Sequence, residues 1–176
     1  DEFNPEDIKI WANNIKAAIK DKTLERINDK LLAESMAVIS KAVKLTSNYL
    51  PRDTQKIAVL NMLTSSGSDK GRLLQINTGE GKSSIIAMHA TLEHLFSGKP
   101  IDVVTSSAVL AKRDANQQQH LYNLFDISCG HNIDTVQSGP KECYTKDIVY
   151  GDSSHFQSDI LRSEFKLLGT RGVRET

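Results

Sequence analysis

The stretch that most constrains this chain is Leu73–Ser84, LLQINTGEGKSS. Its apolar run, Leu73, Leu74 and Ile76, predicts a short strand. Thr78-Gly79-Glu80-Gly81-Lys82-Ser83 predicts a turn, and the apolar periodicity from Ile85 to Phe96 predicts a helix that begins near Ser83. Strand, glycine-bearing turn, lysine, hydroxyl and helix is the layout of a phosphate-binding loop. Gly79 and Gly81 let the backbone curl with its N–H groups turned toward phosphate oxygens. The helix start adds the positive end of its dipole. Lys82 supplies a charge for the β- and γ-phosphates, which makes it the expected catalytic residue, and the Ser83 hydroxyl is an expected Mg²⁺ ligand. The predicted binding set is Thr78, Gly79, Glu80, Gly81, Lys82, Ser83 and Ser84. The general pattern G-x-x-x-x-G-K-[ST] places a glycine at position 76, where this chain has Ile76. A GKS triplet in an ordinary surface turn is the competing reading, and the flanking strand and helix signals argue against it.

Composition narrows the classes. A chain of 176 residues suffices for one domain, or a small domain with an appendage. Its formal net charge is zero, so no global basic field points to nucleic acid. Cys129 and Cys143 are too few for a disulfide framework and have no zinc-site spacing. A reduced, cytoplasmic setting is the default. No apolar run approaches the roughly 20 residues of a membrane span, and no signal peptide is visible. Beginning at Asp1 without methionine and ending at Thr176, the sequence reads as a piece of something longer.

Taken in order, Asn4-Pro5-Glu6-Asp7 predicts a helix start, with Ile8, Trp11, Ile15 and Ile19 at helical spacing. Asp21-Lys22-Thr23 breaks it. A longer helix follows, with Leu24, Ile27, Leu31, Val38, Ala42 and Leu45 expected on one face. The pair forms a helical hairpin, read chiefly as a layer packed on its own domain and alternatively as a surface for a protein partner. Asn48-Tyr49-Leu50-Pro51 ends it and marks a boundary between a helical segment, 1–49, and a second region, 50–176. Arg52–Gln55 opens a helix with Ile57, Leu60 and Leu63 expected inward, and Thr64–Lys70 is a polar turn. Beyond the loop and its helix, Ser97-Gly98-Lys99-Pro100 is a stop. Ile101–Thr105 predicts a buried strand, Ala108–Phe125 a helix capped by Ser106–Ser107, Ile127–His131 and Asp147–Tyr150 two more strands, and Asn132–Lys146 an irregular stretch. Ser153–Ser154 starts a last helix carrying Phe156, Ile160, Leu161 and Phe165. Alternating strands and helices after residue 70 argue for parallel βαβ units.

Several stretches together resemble one family. Thr78-Gly79-Glu80-Gly81-Lys82, Val103-Val104-Thr105 with Leu110-Ala111-Lys112-Arg113-Asp114-Ala115, and Asp147-Ile148-Val149-Tyr150-Gly151 with Phe156, Asp159, Leu161 and Arg162 look like ordered motifs of the SecA-like DEAD-motor ATPases. More broadly they resemble the RecA-like lobes of helicase superfamily 2. The resemblance covers roughly residues 50–176 and finds no counterpart before residue 50. It implies an α/β P-loop NTPase fold, a three-layer parallel sheet forming part of a first lobe behind the N-terminal helical hairpin. It implies ATP and Mg²⁺ as cofactors, with Arg52 and Gln55 as adenine-reading residues. It also implies a polypeptide substrate, a second motor lobe and contact with a translocon at the membrane periphery. The family's later Asp-Glu pair, which holds Mg²⁺ and activates water, does not follow the loop here, so hydrolysis by this piece is expected to be weak or absent.

Gln55 carries both a donor and an acceptor, which suits the adenine edge; a helix-surface glutamine is the plainer reading. Glu80 places a carboxylate beside phosphates and needs a basic neighbour or a metal-bound water. Lys112, Arg113 and Asp114 lie either on a substrate-facing turn or on a solvated helix face. Asp152 puts an acid after a β-branched run, and the intervening Gly151 argues against a Mg²⁺ role. The histidines at 89, 94, 120, 131 and 155 share no ligand spacing with the cysteines. Two alternatives stay open: a nucleic-acid helicase lobe, weakened by the neutral charge, and a non-catalytic protein-interaction module.

Overall fold

The computed structural model describes residues 4–21, 28–64, 71–134, 139–172 and 174. They fall into two compact units, Asp1–Gly98 with His120–Asp126, and Lys99–Gln119 with Ile127–Thr176.

In the first unit, helix α1 (Pro5–Lys20) starts at a capping box. The Asn4 side chain accepts from the Glu6 and Asp7 amides, and the Asp7 carboxylate accepts from the Asn4 amide at 2.8 Å. Its apolar stripe buries Ile8, Trp11, Ala12 and Ile15, each large side chain contributing about 2 kcal/mol. The Trp11 indole donates to Glu34 at 2.7 Å and meets Phe125 edge-on at 6.4 Å. Lys16 donates to the Phe125 and Asp126 carbonyls. Trp11 and Ile15 therefore belong to internal packing and do not form an open partner-binding face.

Helix α2 (Asp29–Ser47) buries Met36, Val38, Ile39, Ala42 and Val43. Leu45, expected on that face, is exposed. Ser35 and Ser40 take buried positions by donating their hydroxyls to the Leu31 and Met36 carbonyls, each at 2.6 Å. Such i−4 bonds satisfy the hydroxyl and make serine acceptable in a core. Leu24 and Ile27 lie outside the described residues. Asn48, in the left-handed conformation at φ 58°, closes the helix.

Helix α3 (Asp53–Leu63) turns Gln55, Ala58, Val59 and Leu63 inward, not Ile57, which is 56 % exposed. A bonded, buried Gln55 sets that face. Helix α4 (Lys82–Ser97) buries Ile85, Met88, Leu92 and Leu95 and ends at Gly98, φ 65°. The expected strand at Leu73–Ile76 is absent: the segment is irregular and Leu73 is fully exposed. A strand exists only with a ladder partner, and no described strand pairs with this run.

The second unit holds a parallel sheet in the order β1 (Ile101–Thr105), β3 (Ile148–Asp152), β2 (Cys129–His131). Central β3 is buried from Ile148 to Gly151. A Cβ on Gly151 would collide with Asn132 and Phe156, so glycine permits this close packing. Among the described strands β1 lies at the edge: only Val103 is buried and Val104 is exposed, where a buried strand was expected. Arg171 and Arg174 both reach Asp102 of β1 at 2.9 Å. Helix α5 (Ala108–Leu124) follows β1, its start held by Ser107. The stretch 132–146 contains one turn of 3₁₀ helix, Glu142–Thr145. Helix α6 (Ser153–Glu164) is capped by Asp152 rather than by the serines. Leu161 and Phe165, expected inward, are exposed; the inward positions go to Phe156 and Asp159.

Candidate phosphate-binding site

The loop is built by two glycines with left-handed backbone, Gly79 at φ 86° and Gly81 at φ 77°. Gly81 is the N-cap of α4. The Ser84 and Ile85 amides donate to the Gly81 carbonyl at 3.1 and 3.2 Å, and the Glu80 amide to Asn77 at 3.3 Å. The amides of Gly79, Gly81 and Lys82 donate to no carbonyl among the described residues. A Cβ built on Gly79 meets nothing within 4 Å, so open space lies over the turn. Unengaged donors, a helix start and free volume together suit an anion.

Each predicted residue has a definite place. The Lys82 ammonium folds onto the loop's own carbonyls, Ile76 at 2.8 Å and Asn77 at 2.9 Å, and remains exposed. Thr78 and Gly79 are exposed, and Ser83 is half-buried. Ser84 lies on the buried face, where its oxygen accepts from the Tyr49 hydroxyl at 2.9 Å. Gln55 is buried with both amide ends engaged: Oε1 accepts from the Arg52 amide and Nε2 donates to the Glu80 carbonyl, each at 2.9 Å. A Cβ on Gly81 would sit 2.5 Å from Gln55 Nε2, so the loop presses directly on that amide. Arg52 reaches Glu80 at 3.1 Å and the Gly79 carbonyl at 3.4 Å. An open cavity of about 570 Å³ adjoins the loop, bounded by Ile57, Asn61, Leu74, Asn77 and Glu80.

Other candidates are engaged elsewhere. Asp152 accepts from the His155 amide and ring at 2.8 Å, and these bonds, the backbone one foremost, hold its carboxyl below the usual range. Arg113 pairs with its neighbour Asp114 at 2.6 Å. Burial pushes the Cys129 thiol up to about 12 and the Cys143 thiol to about 11, so both stay protonated. Among the described residues no group of three His, Cys, Asp or Glu side chains could hold a metal, and no helix is long and apolar enough to cross a membrane. Sequence reasoning missed the Tyr49 hydroxyl that donates to Ser84 of α4. It also missed a buried network in the second unit, where Asp159 accepts from Lys141 at 2.9 Å and Tyr144 at 2.7 Å. Asp159 carried a motif signal; Lys141 and Tyr144 carried none.

An α/β chain with a parallel sheet and a TGEGKS turn opening a helix is of the partial RecA-like lobe class. The family model for the SecA DEAD-like domain matches residues 1–175, and the chain belongs to that family. The match takes in residues 1–49, for which the sequence had shown no counterpart. Relatives named protein translocase subunit SecA include that of Campylobacter curvus, 32 % identical over 170 residues and covering 93 % of this chain. That of Clostridium botulinum strain Eklund 17B is 34 % identical over 155 residues, 82 % of this chain. The Geobacter metallireducens protein is 36 % identical over 141 residues, 78 % of this chain. The chain spans 18 % of the length of the first two and 15 % of the third.

Proposed function

We propose that this chain is the nucleotide-binding part of a SecA-type motor ATPase that couples ATP hydrolysis to protein translocation. The observation that carries the reading is the set of unengaged amides at Gly79, Gly81 and Lys82 over open space at the start of α4. ATP's phosphates would lie on these donors. Lys82 would exchange the Ile76 and Asn77 carbonyls for β/γ-phosphate oxygens, and Ser83 would ligate Mg²⁺, which neutralises charge developing on the γ-phosphate. Residues 50–176 would form the N-terminal part of a motor lobe. A second lobe, a polypeptide substrate and a translocon at the membrane periphery would act with it in a longer protein. By itself this chain would bind nucleotide weakly and hydrolyse it little.

Calorimetric titration with Mg-ATP tests the reading. Lys82→Ala is expected to weaken binding at least about tenfold, as loss of a charge-assisted contact implies. Unchanged affinity in that variant refutes it. The helicase alternative predicts salt-dependent binding of single-stranded nucleic acid.

A further inference from the structure

We infer that Arg52 is a positioning residue for the phosphate loop: it neutralises the Glu80 carboxylate that the loop carries among its own anion-binding amides. The inference rests on the phosphate-site reading and assigns Arg52 a task other than reading a base.

Glu80 stands between Gly79 and Gly81, where a carboxylate repels any polyanion that the loop amides attract. Arg52 lies against it, with Nη2 at 3.1 Å from the carboxylate and 3.4 Å from the Gly79 carbonyl. The backbone amide of the same Arg52 is held by Gln55 Oε1, while Gln55 Nε2 holds the Glu80 carbonyl. The first turn of α3 thus grips the loop through the Gly79 carbonyl, the Glu80 carbonyl and the Glu80 side chain. Gln55 is 3 % exposed with both ends of its amide engaged, and Arg52 turns Nη2 toward the loop. In this arrangement the buried Gln55 amide presents no exposed edge to adenine, and Arg52 commits Nη2 to the loop. Arginine suits the task because it stays charged throughout the working pH range. Both side chains remain partly solvated, 56 % and 40 % exposed, so the compensation is screened by salt.

Removing the guanidinium leaves a negative charge inside the phosphate site. The penalty then follows ligand charge and ignores the base. The test is calorimetric titration of the 176-residue chain with Mg-ATP, Mg-GTP and inorganic triphosphate, at low and at physiological salt. Arg52→Gln is expected to weaken all three by about five- to tenfold at low salt, and by less at physiological salt. Arg52→Gln with Glu80→Gln is expected to return to within about twofold of the parent. Because both positions are solvated, the variants should keep the parent's far-UV spectrum. If Arg52→Gln weakens ATP but leaves inorganic triphosphate unchanged, Arg52 reads the base and the inference falls. Failure of Glu80→Gln to rescue also overturns it. A parent chain that binds none of the three ligands refutes the phosphate-site reading and the inference together; parent binding without rescue refutes the inference alone.

Discussion

Replacing Gln55 by leucine removes two hydrogen bonds while keeping most of the side-chain volume, so little cavity energy enters. The bond from the Arg52 amide satisfies the N-cap donor of α3 and is worth about 1 kcal/mol. The bond to the Glu80 carbonyl is worth about 1 kcal/mol more. The expected loss is about 2 kcal/mol. With a urea slope near 2 kcal/mol/M, the midpoint should fall by about 1 M. Trp11 lies in the same unit, so its fluorescence follows the transition. Binding of ATP and of inorganic triphosphate should weaken in parallel, because a loosened loop serves any phosphate. An unchanged midpoint with loss confined to ATP would show that the amide reads adenine, and the bracing argument would be refuted.

Asp159→Ala should cost about 3–5 kcal/mol by urea titration followed in the far ultraviolet, since it leaves the Lys141 ammonium buried and unpaired; Lys141→Met with Asp159→Leu should cost much less than the two single changes summed. Gly81→Ala should destabilise the chain by at least about 1 kcal/mol more than Gly79→Ala, because both strain a left-handed backbone but only Gly81 presses on Gln55; equal losses would contradict the close approach. Burial, opposed by Glu93, holds the His89 imidazole below its usual value. The unfolded chain then binds the extra proton, so stability should fall as pH drops below about 6.5, by at most about 1.4 kcal/mol per pH unit. His89→Gln should flatten that slope in denaturation midpoints measured between pH 8 and 5, and an unaltered slope would exclude His89 as its source.

Local chemistry was legible from sequence at several helix ends, though not at α6, where Asp152 took the cap expected of the serines. Asn4 and Pro5 start α1, Asn48 and Gly98 close α2 and α4, and Lys82 opens α4, because caps and left-handed stops depend on residues within one turn. The motif residues of the loop were readable for the same reason. Inward faces were less so: Ile57, Leu45, Leu161 and Phe165 are apolar yet exposed, while Ser35, Gln55 and Asp159 are polar yet buried. Hydropathy ranks side chains one at a time, whereas a buried polar group is tolerated only when a distant partner satisfies it.

By itself the sequence determined that a glycine-rich turn would open a helix with a lysine and a hydroxyl at its first positions. Only tertiary structure decided what grips that turn. Arg52 and Gln55 lie 27 and 25 residues from the carbonyls they hold, and no local pattern encodes such a pairing. The strand expected at Leu73–Ile76 fails for the same physical reason: its backbone groups require partners from elsewhere in the chain, and apolar spacing alone cannot supply them.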